Sequence, residues 1–213
     1  MTNTAGAPLS AGTLLYLWGD QVVGAPGRLQ RKVTLPSGAV VGAADLAAQV
    51  FAVSFWRLSA QRVVGLEPSK RRSMGVLKKD DVAVTLTGEP GRRDGYEAAV
   101  LTVIAKEKGV YGAVRRWFGS DVSNPSKVVL GLAREELPAH GLARMGDAGR
   151  GLISGMLRGS EELHFDAEAI RGTWTDFHRM HEAWRGFRDH DPLGTVLVET
   201  CRKAIASREE SSE

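Results

Sequence analysis

Apolar side chains recur at helical spacing in the middle of the chain and predict two consecutive helices there. The inward positions of the first helix are Val110, Val114, Trp117 and Phe118. Residues that cap helices then precede Pro125, whose ring suits a first helical turn, so a second helix is predicted from Pro125 to about Ala139. Gly141 is placed to end this helix, and the apolar residues after it predict a short strand that reaches Met145.

The order of helix, turn, capped helix, glycine and short strand resembles the winged helix-turn-helix superfamily. The resemblance is carried by the joint RRWFG, the cap SNPS and the exit HGLAR, and it covers residues 96–145. Winged helices bind DNA, RNA, proteins or membranes, or hold complexes together, so the shared fold does not select one activity. The resemblance therefore implies a winged fold with a binding function and leaves the partner open.

A similar succession of helix and hairpin is predicted earlier in the chain. A wide apolar face begins near Ala43, which predicts a helix buried against two neighbours. Its apolar positions are Leu46, Val50, Val53, Phe55, Trp56 and Leu58. Residues 63–67 and the alternating run 81–86 then predict two strands around a basic loop. This is the back half of a winged helix, so a tandem of two units is predicted from pattern alone.

The N-terminal part of the chain gives weaker signals. Residues 1–12 are small and polar and predict a flexible arm. Residues 13–18 form a short apolar run that suits either a strand or the first turns of a helix. Two further apolar runs, 33–35 and 39–41, flank a Pro-Ser-Gly turn and predict a small hairpin.

The clearest amphipathic helix is predicted near the C-terminus, after Asp166 as its cap. Its apolar positions are Ile170, Trp174, Phe177, His181, Trp184 and Phe187. Large aromatic side chains in a periodic array usually close a core, although the same stripe also suits the seam of a homodimer. A break at 189–192 and a last helix from Pro192 complete a C-terminal helical pair.

These elements predict an α+β fold, mainly α, with tandem winged-helix-like units, small β-hairpins and a C-terminal helical pair. The predicted divisions are a flexible arm (1–12), unit one (13–90), unit two (95–165), C-terminal helices packed on both units (166–208) and a tail (209–213).

The composition of the chain limits the classes of function. It has 28 Lys and Arg against 25 Asp and Glu in 213 residues, so local clusters must carry any nucleic-acid hypothesis. One cysteine, Cys201, excludes an intramolecular disulfide and suits a reducing compartment. No apolar run approaches the roughly 20 residues that span a bilayer, so we expect a cytoplasmic protein without an integral membrane segment.

The strongest cluster of positive charge lies at the predicted wing of unit one. Its members are Arg62, Lys70, Arg71, Arg72, Lys78 and Lys79. Lysine and arginine at a wing tip neutralise phosphates, so we expect this loop to contact DNA. The alternative is an ordinary solvated loop, because Asp80 and Asp81 cancel part of its charge.

The predicted second helix of unit two offers side chains of the kinds that contact base edges in DNA. They are Asn124, Ser126, Lys127 and Arg134. Glu135 and Glu136 on the same helix would repel phosphates, and this surface suits a protein partner equally well. DNA is therefore the leading expected partner, and a scaffold or adaptor role in a protein complex is the alternative.

The chain carries no familiar catalytic motif. It lacks GxSxG, GxxxxGK[ST], CxxC, and a GxGxxG after a strand. His178 and His181 stand one helical turn apart, but their spacing differs from that of HExxH, and packing in a core is the simpler interpretation. We therefore expect a non-enzymatic protein with no catalytic residue, no metal and no cofactor.

A second resemblance adds another alternative. The LLYLW opening and the helix that ends in RVVGLE are similar to bacterial members of the Golgi phosphoprotein family. Proteins of this family are helical and bind anionic phospholipid headgroups. The resemblance implies a peripheral binder of anionic membrane surfaces and assigns no binding residue in this chain.

Overall fold

Helices form most of the fold, and short antiparallel hairpins connect them. The structure is a computed structural model that describes residues 8–28, 30–73, 77–89, 91, 93, 95–118, 125–146 and 163–209. The helices are α1 (Ala11–Leu17), α2 (Ala43–Ala60), α3 (Gly95–Ile104), α4 (Val110–Trp117), α5 (Pro125–Ala139), α6 (Ala167–Gly172), α7 (Trp174–His190) and α8 (Pro192–Glu209). The strands are β1 (Lys32–Thr34), β2 (Val40–Gly42), β3 (Val64–Ser73), β4 (Leu77–Leu86), β5 (Ala143–Met145) and β6 (Leu163–Phe165). They pair as the antiparallel hairpins β1–β2, β3–β4 and β5–β6, which confirms an α+β fold that is mainly α.

Helix α2 lies at the centre of the core. Its apolar side chains occupy nearly all of its sides, and Leu46, Phe51, Phe55 and Leu58 are at most 1% exposed. Helices α1, α3, α5 and α8 pack around it. The wide apolar face that the sequence predicts is therefore covered by several neighbours, because one neighbour covers only one stripe of a helix.

The apolar run near the N-terminus forms a helix, α1, and not a strand. The hydroxyl of Ser10 caps it by accepting a hydrogen bond from the backbone N–H of Thr13 at 3.2 Å. All seven residues of α1 are buried, so no polar face marks a helical period in the sequence. The carboxylate of Glu136 on α5 holds the same end, since it accepts a hydrogen bond from the backbone N–H of Ser10 at 2.7 Å.

The β3–β4 hairpin carries the predicted wing of unit one. Each strand has ten residues, and the pair is held from the side by α4 and α8. The backbone N–H of Val84 donates a hydrogen bond to the carbonyl of Lys108, just before α4, at 3.0 Å. Val82 and Val84 are buried as their alternation predicts, whereas Leu86, the last residue of β4, is 48% exposed. The hairpin is thus fixed to the rest of the fold along β4.

The predicted amphipathic helix near the C-terminus is divided into α6 and α7 at Thr173, which corrects the expectation of one continuous helix. The hydroxyl of Thr173 donates to the carbonyl of Ile170 at 2.8 Å and accepts from the indole N–H of Trp18 at 3.0 Å. A threonine hydroxyl that binds a nearby carbonyl competes with the helical hydrogen bond at that point. Helices α7 and α8 then pack as the expected C-terminal pair.

The aromatic stripe of α7 is mainly core. Phe177 and Trp184 are 1% and 0% exposed, while Trp174 at the start of the helix is 41% exposed. Helix α8 ends at Glu209, next to the predicted end of the C-terminal helices at residue 208.

The two predicted helices of unit two, α4 and α5, pack against different neighbours. Helix α5 begins and ends where the capping signals predict, and β5 and β6 pair after it. It packs on α1, α2 and α3, whereas α4 packs on α3, α8 and β4. Residues 119–124 and 147–162 lie outside the described residues. The tandem winged-helix arrangement stays a prediction.

Candidate anion-binding cleft

A polar cleft of about 580 Å³ lies between the β3–β4 hairpin, the start of α4 and the last turns of α8. It is lined by Lys70, Arg71, Lys78, Lys79, Asp80, Tyr111, Lys203, Ala206 and Ser207. Five of these side chains are cationic and one is acidic. The excess of positive charge favours an anion in the cleft.

The strand register brings the cations of the hairpin together. Arg71 lies opposite Lys79, and Lys70 lies opposite Asp80. The Nζ of Lys70 is 3.3 Å from Oδ1 of Asp80, and both side chains are more than half exposed. An exposed ion pair of this kind contributes at most about 1 kcal/mol, so an arriving anion can replace Asp80 as the partner of Lys70.

Arg71 is held on the wall of the cleft by an aromatic ring. Its guanidinium carbon lies 3.4 Å from the centroid of the Tyr111 ring, within the range of a cation–π contact. The Nε of Arg71 is buried, and no hydrogen-bond partner for it occurs among the described residues. Contact through the face of the guanidinium leaves its N–H groups in the plane, where they suit a bidentate acceptor such as phosphate.

The carboxylate of Asp81 places Tyr111 against the hairpin. Its Oδ1 accepts hydrogen bonds from the backbone N–H of Val82 at 2.8 Å and from that of Tyr111 at 3.2 Å. Gly109 passes so close that a Cβ there would lie 2.9 Å from Oδ2 of Asp81. Burial raises the pKa of Asp81, although the two backbone hydrogen bonds and the charge of Arg71 oppose the rise.

Helix α8 supplies the third wall. Lys203 is exposed on its outer side, with Nζ 3.7 Å from Oε2 of Glu199 one turn earlier. Cys201 lies on the inner side, is fully buried, and has its pKa raised by burial. A thiol in this setting is a packing group, since it is the exposed thiolate that reacts. The outer side of α8 therefore adds a cation to the cleft while its inner side packs against the core.

The structure brings four of the predicted wing cations into the cleft, namely Lys70, Arg71, Lys78 and Lys79. Arg72 lies on β3 between them in sequence, and its side chain is outside the described part. Arg62 is exposed after the end of α2, with a φ of 58°, and does not line the cleft.

Of the predicted base-contacting residues, only Arg134 has a described side chain, and it is not among the described residues that line the cleft. Arg134 is half-buried on α5. Burial raises the pKa of Tyr16 in the core, and the charge of Arg134 opposes that rise. Ser126 and Lys127 lie in the first turn of α5, with side chains outside the described part, and Asn124 lies outside it entirely. Since α5 packs on α1, α2 and α3, the predicted wing and the predicted recognition helix face different surroundings.

Sequence reasoning missed the residues that the rest of the chain contributes, Tyr111 and Lys203. They are separated from the hairpin by tens of residues in the sequence, so no local spacing connects them to the wing. The one available signal is that Lys203 and Ser207 stand four residues apart and therefore share the polar face of α8.

Other kinds of site find little support in the described residues. No group of three or more His, Cys, Asp or Glu there is arranged to hold a metal ion. No helix among them has both the length and the apolar character that crossing a bilayer requires. Comparison with protein-family models, curated protein sequences and solved structures gives no match for this chain. The basic cleft is therefore the feature of the described residues that bears on function.

Proposed function

We propose that the protein is a non-enzymatic binding module whose basic cleft holds the phosphate backbone of a nucleic acid, with DNA as the leading partner. The observation that carries this proposal is the convergence of cations from the β3–β4 hairpin and from α8 on one cleft of about 580 Å³. Lysine and arginine are the side chains that neutralise phosphates, and they supply most of the affinity in sequence-independent binding.

The character of the cleft favours a polymer backbone over an enclosed small molecule. Pockets for small ligands are mainly apolar and bury most of the ligand. Here Lys78 and Lys79 are exposed and the lining is mainly polar. An open, polar row of cations suits phosphates that pass along the surface.

The proposed binding is independent of base sequence. The described side chains that line the cleft are chiefly lysine and arginine from the hairpin and from α8, and Arg134, the predicted base-contacting residue of α5 whose side chain is described, is not among them. Under the winged-helix interpretation, the β3–β4 hairpin acts as a wing that contacts phosphates, without a recognition helix beside it.

No specific observation favours the adaptor alternative. Exposed large apolar side chains among the described residues are Val40, Leu86 and Trp174, and they stand on three different elements. A protein-binding patch needs such residues to be contiguous. An anionic membrane surface would use the same cations as DNA, so the experiment must distinguish these two partners.

The test is a fluorescence-anisotropy titration with a labelled DNA duplex of about 20 base pairs at several salt concentrations. The wild-type chain is compared with a variant that carries Lys78→Gln, Lys79→Gln and Lys203→Gln. A matched control removes three exposed cations elsewhere, through Lys32→Gln, Arg171→Gln and Arg179→Gln. Both variants lose the same net charge, so only a local effect distinguishes them.

We expect steep salt dependence for the wild type, and a salt slope shallower by about one unit for each phosphate contact that the cleft variant has lost. The control variant should retain nearly all of the affinity, and unrelated duplex sequences should behave alike. Absence of binding at low salt, or equal losses in both variants, would overturn the proposal. Binding to vesicles that contain anionic lipid, without binding to DNA, would replace nucleic acid with a membrane surface.

A further inference from the structure

A second cavity, of about 420 Å³, lies between the start of α1, the C-terminal end of α2 and one side of α7. It shares none of its described lining residues with the basic cleft. Its lining is mainly apolar, and the larger apolar side chains are Leu9, Leu14, Trp56 and Met180. A cavity of this volume, with an apolar wall and a few polar groups, is the usual setting for a small organic ligand.

The walls of this cavity are fixed by contacts with the core. The backbone N–H of Ser10 donates to Oε1 of Glu136 at 2.7 Å, which holds the start of α1. The ring of Trp56 on α2 packs on the fully buried Trp184 of α7, with 5.7 Å between the ring centroids. A ligand that enters a preformed cavity avoids the cost of ordering its walls.

Arg57, on α2, is the polar group of the cavity with donors to offer. Its side chain is half-buried, and no ion pair or hydrogen bond of its guanidinium occurs among the described residues. Its charge acts on the buried Glu97, but that carboxylate already accepts from the backbone N–H of Ala11 at 3.2 Å and lies 3.7 Å from Arg93. A guanidinium in a mainly apolar wall favours a carboxylate, which accepts two of its N–H groups at once.

The remaining charges of the cavity balance each other. Asp176 and Arg179 both line it and form an exposed pair, with 3.9 Å between Oδ1 and Nη1. One positive charge, that of Arg57, is therefore in excess among the described lining residues. Met180 adds a flexible thioether, which adapts to an aliphatic chain.

We propose that this cavity binds a monocarboxylate with an aliphatic body, of the class of medium-chain fatty acids. The aliphatic chain lies against Leu14 and Met180, and the carboxylate pairs with Arg57. This site is independent of the proposed nucleic-acid binding, because the two ligands use different lining residues.

The test is isothermal titration calorimetry of the full-length chain with octanoate, with octanol and with octylammonium. We expect octanoate to bind with a Kd between about 1 μM and 1 mM, the range that about ten non-hydrogen atoms of a small ligand supply. Octanol and octylammonium should bind about tenfold more weakly or worse, because neither offers the charged acceptor that Arg57 requires.

Two variants with matched controls locate the site. Arg57→Gln should weaken octanoate binding about tenfold or more and leave octanol binding unchanged, whereas Arg31→Gln removes the same charge from an exposed position and should bind as the wild type does. Ala183→Phe places a ring in the cavity from an exposed position of α7 and should abolish binding of both ligands. Thr175→Phe adds the same ring at an exposed position of α7 that does not line the cavity, and it should retain binding.

Absence of octanoate binding in the millimolar range would overturn the inference. Equal affinities for octanoate and octanol, or an Arg57→Gln variant that binds octanoate as the wild type does, would show that no carboxylate is recognised. Equal binding by Ala183→Phe and Thr175→Phe would place the ligand elsewhere. Circular dichroism melts establish that each variant is folded, and if Arg57→Gln is not, the comparison of octanoate with octanol and the Ala183→Phe variant decide the question.

Discussion

The buried carboxylate of Asp81 accepts a hydrogen bond from the backbone N–H of Tyr111 at 3.2 Å and so joins β4 to the start of α4. Tyr111 in turn lies under the guanidinium of Arg71, whose Cζ is 3.4 Å from the ring centroid. Two residues that belong to different elements thereby set the position of a cation in the cleft. The geometry of the cleft depends on a carboxylate that does not line it.

The burial of Asp81 predicts a specific dependence of stability on pH. Its pKa is raised, with burial as the largest cause. Between the ordinary and the raised pKa, the folded chain holds a proton that the unfolded chain has released, so the free energy of unfolding falls as pH rises through that range. Asp81→Asn should remove this part of the slope in urea unfolding measured between about pH 3 and 6.

The pKa of Glu97 is also raised by burial. Glu97→Gln should therefore also reduce the slope of the free energy of unfolding against pH in this range. Combining it with Asp81→Asn should flatten the profile further than either change does. An Asp81→Asn profile parallel to that of the wild type would show that the carboxylate is solvated.

The ring of Tyr111 should contribute to binding through Arg71. Tyr111→Phe keeps the aromatic face, so we expect its affinity for DNA to match that of the wild type. Tyr111→Leu removes the cation–π contact, and a loss of 0.5 to 1 kcal/mol corresponds to roughly two- to fivefold weaker binding. Anisotropy titrations measure this difference, and circular dichroism melts check that both variants are folded. Equal affinities of Leu and Phe variants would mean that the ring does not position Arg71.

The boundaries of α5 could be predicted because the signals are local. Pro125 and the residues before it mark its start, and Gly141, at a φ of 71°, follows its end. The β5 strand was likewise predicted from a short apolar run. Where the boundary of a helix or strand depends on residues within one or two turns of it, the sequence is sufficient to predict that boundary.

Features that depend on distant residues could not be predicted in the same way. The division at Thr173 involves a hydrogen bond from the indole of Trp18, which lies 155 residues earlier. The cations of the wing were recognised as a cluster, but the wall that completes the cleft comes from Lys203. Its approach is set by the packing of α8 on β4, and no local pattern records that packing.

The fully buried Trp184 should be important for stability. Its side chain is 0% exposed, so Trp184→Ala is expected to lower the free energy of unfolding by roughly 3 to 5 kcal/mol. The indole N–H has no partner among the described residues, so Trp184→Phe loses no hydrogen bond and should be clearly less destabilising. Urea unfolding of both variants tests this order. An unchanged melt for Trp184→Ala, together with a changed oligomer size in light scattering, would instead place this residue in a seam between chains.

The last prediction concerns Glu136, whose side chain is buried and holds the start of α1. Its Oε1 accepts from the backbone N–H of Ser10 at 2.7 Å, and its Oε2 accepts from the hydroxyls of Ser10, at 2.9 Å, and Thr13. Glu136→Ala would leave these three donors without their acceptor, and a buried unsatisfied donor costs about 1 to 3 kcal/mol. We therefore expect a loss of at least about 3 kcal/mol in the free energy of unfolding.

The neighbouring Glu135 is exposed and provides the control, since Glu135→Ala should change the stability by no more than about 0.5 kcal/mol. Gly95→Ala tests the same contact from the other side. The backbone of Gly95 has a φ of 58°, and an added Cβ would lie 1.8 Å from Oε2 of Glu136, so this substitution must displace the carboxylate. In urea unfolding, Gly95→Ala and Glu136→Ala should have a free energy of unfolding well below that of the wild type. The value for Glu135→Ala should be close to that of the wild type. Similar stabilities for all four chains would show that the carboxylate does not hold α1, and α1 would then depend on its apolar contacts alone.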